Sequence, residues 1–510
     1  MNKNFYVLKT LLVGLCVSQI ISWFQVYLSN IRLCDTLTTI KAHGYLLVPN
    51  QNIISSLKDF YPAFMGGLFF TITLGSSISI ITFAAVWAWD RLFLRKKSFL
   101  IFFLIIWALI IVHVNISGFS FFITSYFLFI PLAVCTGTLK WMPVQMQNQN
   151  RLKRIILRFI PFLFIPLLLF PFLSGIQAHS NVFLHFRDNI LLSNHLGIKL
   201  NDFYYKYGLY PAQVFKSLNQ KTLKTYTVEG MKKQSVKTGT EKKLLHYDYL
   251  NVGKASDPDL TIKKQKHILL FKHKNKTICT VNIKEFLANP GKALNDFSHK
   301  TDKFRYFRMY IYFSLITAPF IILYIILYNL LRCLIFFISQ KNASEYASVL
   351  CFLIVIFFLF FSYTANIQLN THDIEKGLGS ENQNIRIKTL KYITKKKLEL
   401  INYPGYRNII SSPHMLDRTY LAIALGVSRE QASYDDLLLL LNDSEHIVVW
   451  TALGALGRRQ DKGAVNHIIN LLQKSDHWYE QWYAYNALKN LGWRQKAWSK
   501  KTAFSGKSEN

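Results

Sequence analysis

Pro62–Trp89 runs for 28 residues without a charged side chain. At 1.5 Å per residue, a helix of that length exceeds the ~30 Å hydrocarbon core of a bilayer and crosses it with tilt. The pattern recurs along the chain. Thr10–Leu28 is uncharged behind Lys3 and Lys9, too long for a signal peptide's apolar region and without a small-x-small cleavage site, so it reads as a retained first span. Phe99–Leu139 is apolar over 41 residues, enough for two crossings, and Asn115-Ile-Ser-Gly118 interrupts it as a hairpin would. Phe159–Ile176, which carries Pro161, Pro166 and Pro171, is the expected fifth span and a bent one. Met309–Leu331 and Tyr346–Leu369 supply the sixth and seventh.

About seven spans leave two soluble segments. The expected division is a membrane region at 1–176, a soluble insert at 177–303, two further spans within 304–370, a helical domain at 371–494 and a polar tail at 495–510. The net charge of +32 is spread unevenly. The insert carries 22 Lys+Arg against 10 Asp+Glu, and residues 371–510 carry 20 against 14. No dense basic stripe interleaved with aromatics appears, so this charge points to anionic lipid and solvated faces rather than to nucleic acid. With the N-terminus inside, Arg91/Arg95/Lys96/Lys97 and Lys140/Arg151/Lys153/Arg154/Arg158 fall in cytoplasmic loops, as the positive-inside rule asks. Both soluble segments then lie on the non-cytoplasmic side, and a bacterial inner membrane is the expected location.

The insert reads as a small α+β domain of two to four strands. It opens with helical spacing at Val182–Leu192, and HILLFKHKNKTICTVNI is a pair of strands with KHKNK as the turn. From about Glu381 the pattern is purely helical. Equivalent core positions at Ile393, Leu425, Leu456 and Leu491 are 32, 31 and 35 residues apart, and three units end in ALGVS, ALGRR and NLGWR. A period just above 30 residues with two helices per unit marks an α-solenoid, with each Gly placed to close a helix in the left-handed conformation. The fold class expected is therefore mainly α: a polytopic helical bundle with an α+β insert and a C-terminal solenoid.

Over about residues 380–494 the chain resembles HEAT repeats, most closely the short HEAT-like type named after the phycobilisome lyases. The resemblance implies a curved helical surface for protein–protein contact, and it does not imply lyase activity.

Candidate chemistry is sparse. Asp35, just beyond the first span, stands where polytopic glycosyltransferases that use lipid-linked sugars place an acidic residue, but it lacks a visible partner. Cys34 and Cys279 are the only cysteines outside apolar runs and form a candidate disulfide. The insert's histidines fit no compact ligand spacing, so neither a metal nor a cofactor is expected. The stretch Tyr204, Tyr205, Lys206, Tyr207, Tyr210 and Lys216 mixes aromatic and basic side chains as a lipid-headgroup surface does. The function expected is a membrane scaffold that binds lipids and, through its repeats, other membrane or envelope proteins. The alternatives are an enzyme acting on a lipid-linked substrate and a lipid export component.

Overall fold

A computed structural model of the protein describes residues 6–142, 188, 192, 195–231, 234–253, 257–338, 343, 346–354 and 374–496. The chain is mainly helical and divides into two compact units. One comprises Met1–Val26, Phe64–Asn194 and Lys303–Gln368, and the other Tyr27–Ala63, His195–Asp302 and Leu369–Asn510. The insert and the C-terminal helices, expected as separate domains, thus share one unit with the segment that follows the first apolar run.

Among the described residues four helices are long and apolar enough to cross a membrane: Tyr6–Ala42, Phe60–Arg91, Lys97–Asn115 and Phe121–Trp141. The first is α1. It extends far past Leu28, the end of the uncharged run, because Asn30, Cys34, Leu37 and Ile40 continue a buried stripe at helical spacing after the hydropathy has fallen. Beyond a short helix α2 (Gln51–Ser56), α3 (Phe60–Phe70) passes through a π-helical turn at Thr71–Gly75 into α4 (Ser76–Arg91). At that turn Thr71 Oγ1 donates to Gln19 Oε1 (2.8 Å) and Gln19 Nε2 donates to the Phe64 carbonyl (2.8 Å). These two bonds satisfy the Gln19 amide and the Thr71 hydroxyl within the protein.

The expected hairpin joins α5 (Lys97–Asn115) to α6 (Phe121–Trp141). Asn115 staples it: its Oδ1 accepts from the Ser120 amide (3.0 Å) and its Nδ2 donates to Thr124 Oγ1 (3.1 Å). Ile101, Phe102, Leu104, Ile105 and Leu109 stand exposed on α5, a face suited to lipid and not to water. His113 of α5 hydrogen-bonds Tyr310 (3.2 Å) on the long helix Arg305–Ile338, which contains the expected sixth span. The proline-bearing fifth span and most of the seventh lie outside the described residues.

The second unit holds a five-stranded sheet, one strand more than the upper expectation. After α7 (His195–Val214), β1 (Lys224–Glu229) lies parallel to β2 (Tyr249–Asn251) and to β3 (Leu260–Gln265), with α8 (Gln234–His246) as the β1–β2 crossover. β3, β4 (Ile268–His273) and β5 (Lys276–Asn282) form an antiparallel meander, giving the order β2-β1-β3-β4-β5. Lys274 and Asn275 both take positive φ (49° and 65°), the conformation a two-residue turn needs to match strand twist, so KHKNK is a hairpin turn as its sequence suggests. Two strands were not expected, KTYTVE and LTIKKQ, and the first is buried over its first four residues. Helices α9 (Ile283–Ala288) and α10 (Pro290–Thr301) cover the sheet, and Phe271, Phe286 and Phe297 meet edge to face in the core.

The C-terminal helices α11 (Gln383–Lys396), α12 (Met415–Leu425), α14 (His446–Arg459) and α16 (Trp478–Asn490) pack one upon the next. Between them α13 (Gln431–Leu440) and α15 (Ala464–Lys474) return the chain. The glycines of the three unit endings do not share the expected role. Only Gly492 is left-handed (φ +84°). Gly426 keeps right-handed geometry (φ −67°) and Gly457 lies inside α14. Each is pressed against an alanine of the next helix: an added Cβ would stand 2.7 Å from Ala455 Cβ at Gly426, and 3.0 Å from the Ala487 Cα at Gly457. Close packing, not helix termination, explains the first two.

Candidate interaction site on the C-terminal helices

Arg386, Arg418, Trp450 and Trp482 occupy corresponding places near the starts of α11, α12, α14 and α16, each 32 residues after the last. In the first two units the arginine bridges to the next helix or its entry. Arg386 holds the buried Asp417 (Nη2–Oδ2 2.6 Å), and Arg418 holds Asp443 through two nitrogens (2.6 and 2.9 Å). Each arginine also donates to carbonyls of the turn before its own helix, at Ser380 and Ser412. Buried carboxylates paired in this way fix the step between units, since losing one partner strands a charge at a cost of about 3–5 kcal/mol.

In the last two units the same place is aromatic. Trp450 lies 4.8 Å from Tyr479, ring centre to ring centre, and stacks on Tyr483 at 6.3 Å. Trp482 meets Tyr483 edge-on at 5.0 Å. Helix α7 packs here. Tyr205 sits 4.8 Å from Trp450 and 4.5 Å from Tyr479. Tyr479, Trp482 and Tyr483, all on α16, remain half-exposed, while Trp450 of the preceding unit is buried.

Beneath these rings lies a titratable cluster. His446 Nδ1 is 2.5 Å from Glu480 Oε1, and Ser475 Oγ donates to Glu480 Oε2 (2.7 Å). The hydrogen bond to Glu480 raises the His446 pKa above its ordinary value. His477 stacks obliquely on His446 at 4.4 Å and is only 3 % exposed. Neither of its ring nitrogens has a hydrogen-bond partner among the described residues, and burial pushes its pKa down to about 4. Burial raises the Asp202 pKa on α7, with His446 opposing. The cluster joins carboxylates, imidazoles and the Ser475 hydroxyl beneath a set of aromatic rings, groups that can stack, make cation–π contacts and hydrogen-bond.

Two further contacts tie the unit's segments together. Asn50, the N-cap of α2, donates through Nδ2 to the carbonyls of Leu472, Gln473 and Ser475 at the end of α15, while its amide donates to Gln481 Oε1 (2.7 Å). Asp248, in the turn before β2, accepts from Tyr485 Oη (2.8 Å) and Lys489 Nζ (2.5 Å) on α16.

The residues singled out in the sequence are scattered. Asp35 is exposed on α1, and among the described residues its carboxylate makes no hydrogen bond or ion pair. Cys34 and Cys279 are both free thiols, one buried in α1 and the other on β5, so the candidate disulfide is not formed. Burial raises the Cys279 pKa to about 11, which keeps the thiol protonated and inert. Of the aromatic–basic stretch, Tyr204, Tyr205, Lys206, Tyr207 and Tyr210 lie on α7, while Lys216 follows it. They do not form one surface. Tyr205 faces α14 and α16, Tyr204 and Lys206 are exposed, and Tyr207 meets Tyr61 at 5.7 Å. Lys216 is half-buried, and its surroundings push its pKa down to about 8. The side chain of Tyr210 lies outside the described ones. Sequence reasoning missed Trp450, Trp482 and His477, and the 32-residue register was the signal that could have found the tryptophans. No family model, curated protein or solved structure matches this chain.

Proposed function

We propose that the protein is a multi-pass membrane scaffold, its C-terminal helices forming a HEAT-like solenoid that binds other membrane or envelope proteins. The observation that carries this reading is the 32-residue register, with arginine–carboxylate pairs in the first two units and, in the last two, a buried Trp450 followed by a half-exposed aromatic patch on α16. Tryptophan, tyrosine and arginine dominate the energetics of protein interfaces. The half-exposed Tyr479, Trp482 and Tyr483 on α16 are the patch such a partner would meet.

The same reading places seven helices in the membrane and the second unit on the non-cytoplasmic side of a bacterial inner membrane. Crosslinking in intact membranes followed by affinity purification tests the scaffold role. The wild-type chain is expected to recover the same partner proteins reproducibly. A Trp482→Ala/Tyr483→Ala variant that inserts normally is expected to lose them by at least about ten-fold, as removal of interface anchors does. A recovery no different from an untagged control would end the proposal.

A further inference from the structure

Helix α7 has two faces of opposite character. At 100° per residue, Gly197, Asn201 and Tyr205 share one side, where the first two are buried and Tyr205 packs on Trp450 and Tyr479. The other side is exposed and apolar. Leu196 is 70 % exposed, Leu200 53 % and Phe203 37 %. Around the helix axis, exposed Lys199 and Lys206 border this strip along one edge and Tyr204 along the other.

We propose that this face is an interfacial membrane-binding surface: Leu196, Leu200 and Phe203 enter the boundary between headgroups and acyl chains, and Lys199 and Lys206 engage anionic headgroups. Three observations select lipid over a protein partner. One edge of the apolar strip is bordered by Lys199 and Lys206, and the acid nearest it, the half-buried Asp202, lies beyond those lysines toward the C-terminal helices. Tyr207, on the α7 strip, contacts Tyr61, the second residue of the apolar helix Phe60–Arg91. Phe60 and Tyr61 are themselves exposed beside Lys58, an arrangement that belongs at the level where a span enters the bilayer. The contact with Tyr61 therefore sets α7 at headgroup depth.

The test uses the full chain reconstituted in vesicles, with a benzophenone amino acid replacing Phe203 in one protein and Tyr205 in another. After irradiation, the Phe203 position is expected to carry a phospholipid adduct. The Tyr205 position is expected to crosslink internally to peptides containing Trp450 or Tyr479. Phosphatidylglycerol is expected in the Phe203 adduct beyond its share in mixed phosphatidylcholine–phosphatidylglycerol vesicles. Lys199→Glu and Lys206→Glu should each reduce that enrichment by about five-fold, the effect of one basic side chain near an anionic surface. An adduct to a second copy of the chain overturns the proposal. So does an absence of lipid adduct when the Tyr205 control reacts.

Discussion

His477 shows how a single side chain can be legible in chemistry and illegible in sequence. It sits in a turn, flanked by Asp476 and Trp478, where an exposed histidine would be ordinary. Instead it is buried against His446 and Trp450 without a hydrogen bond to either ring nitrogen. The charged groups facing it are His446 and Glu480 from α14 and α16, its neighbour Asp476, and Lys206 from α7. Burial, reinforced by His446, depresses its pKa from 6.5 to about 4. A depressed imidazole binds its proton more readily in the unfolded chain. Below the ordinary value near 6.5 the unfolded state therefore gains protons first, and stability falls with pH until the folded state titrates too. His446 has the opposite shift. Its pairing with Glu480 strengthens as pH falls below its raised value, so it opposes the loss that comes through His477. Thermal unfolding of the solubilised full chain should lose about 2 kcal/mol between about pH 7.5 and pH 5 through His477. His477→Phe should remove that loss while keeping the ring contacts. Parallel pH profiles for the two proteins would show that His477 is not the titrating group.

The helices themselves were largely readable, because an apolar stripe at 3.6 spacing survives in any sequence that packs one face. What composition hides is the purpose of individual positions on a stripe. Gly426 and Gly457 look like terminators, but the backbones of successive helices approach so closely there that a side chain would collide with Ala455 or Ala487. Tyr205 looks like part of a basic surface, yet it is 100° from Tyr204 on the helix and faces the stack. Strands β1 and β3 were missed because each is six residues long with only two apolar side chains, too short a run to stand out as a strand. The glycine reading can be tested with two substitutions that propensity alone treats alike. Alanine is favoured over glycine in a helix by about 1 kcal/mol. At Gly454 of α14 an added Cβ would meet only ordinary contacts, the nearest at 3.6 Å, so Gly454→Ala should be neutral or stabilising. At Gly426 the added methyl must displace Ala455, and Gly426→Ala should destabilise by about 1–3 kcal/mol despite better propensity. Melting temperatures of the full chain decide between them. Equal shifts of the same sign would mean that the close approach at Gly426 relaxes freely.

At the scale of the whole molecule, the second unit constrains the crossing of the membrane more tightly than the apolar runs do. It is assembled from three stretches, 27–63, 195–302 and 369–510. Asn50 is hydrogen-bonded to Gln481, Leu46 to Gln495, and Asp248 to Lys489. Groups bonded at 2.5–3.0 Å cannot be separated by a bilayer, so all three stretches lie on one side. Under the membrane reading proposed above, this requires an even number of crossings between 63 and 195, and again between 302 and 369. Phe60–Arg91, Lys97–Asn115 and Phe121–Trp141 are three candidate crossings in the first interval. The expected span at Phe159–Ile176 makes four, and those at Met309–Leu331 and Tyr346–Leu369 make two in the second interval. Hydropathy alone gave seven only by a division of the 41-residue run that one miscount would reverse, whereas evenness in each interval follows from contacts within the folded unit. Two independent markers check it: an alkaline phosphatase fusion after Asn510, and membrane-impermeant thiol labelling of Lys274→Cys, exposed in the β4–β5 turn. Both markers should report the same side. Under the proposed orientation that side is the non-cytoplasmic one, since the positive-inside rule expects the Arg91–Lys97 cluster between two crossings to be retained inside. Markers on opposite sides would break the even count, while markers together on the cytoplasmic side would keep the count and invert the orientation.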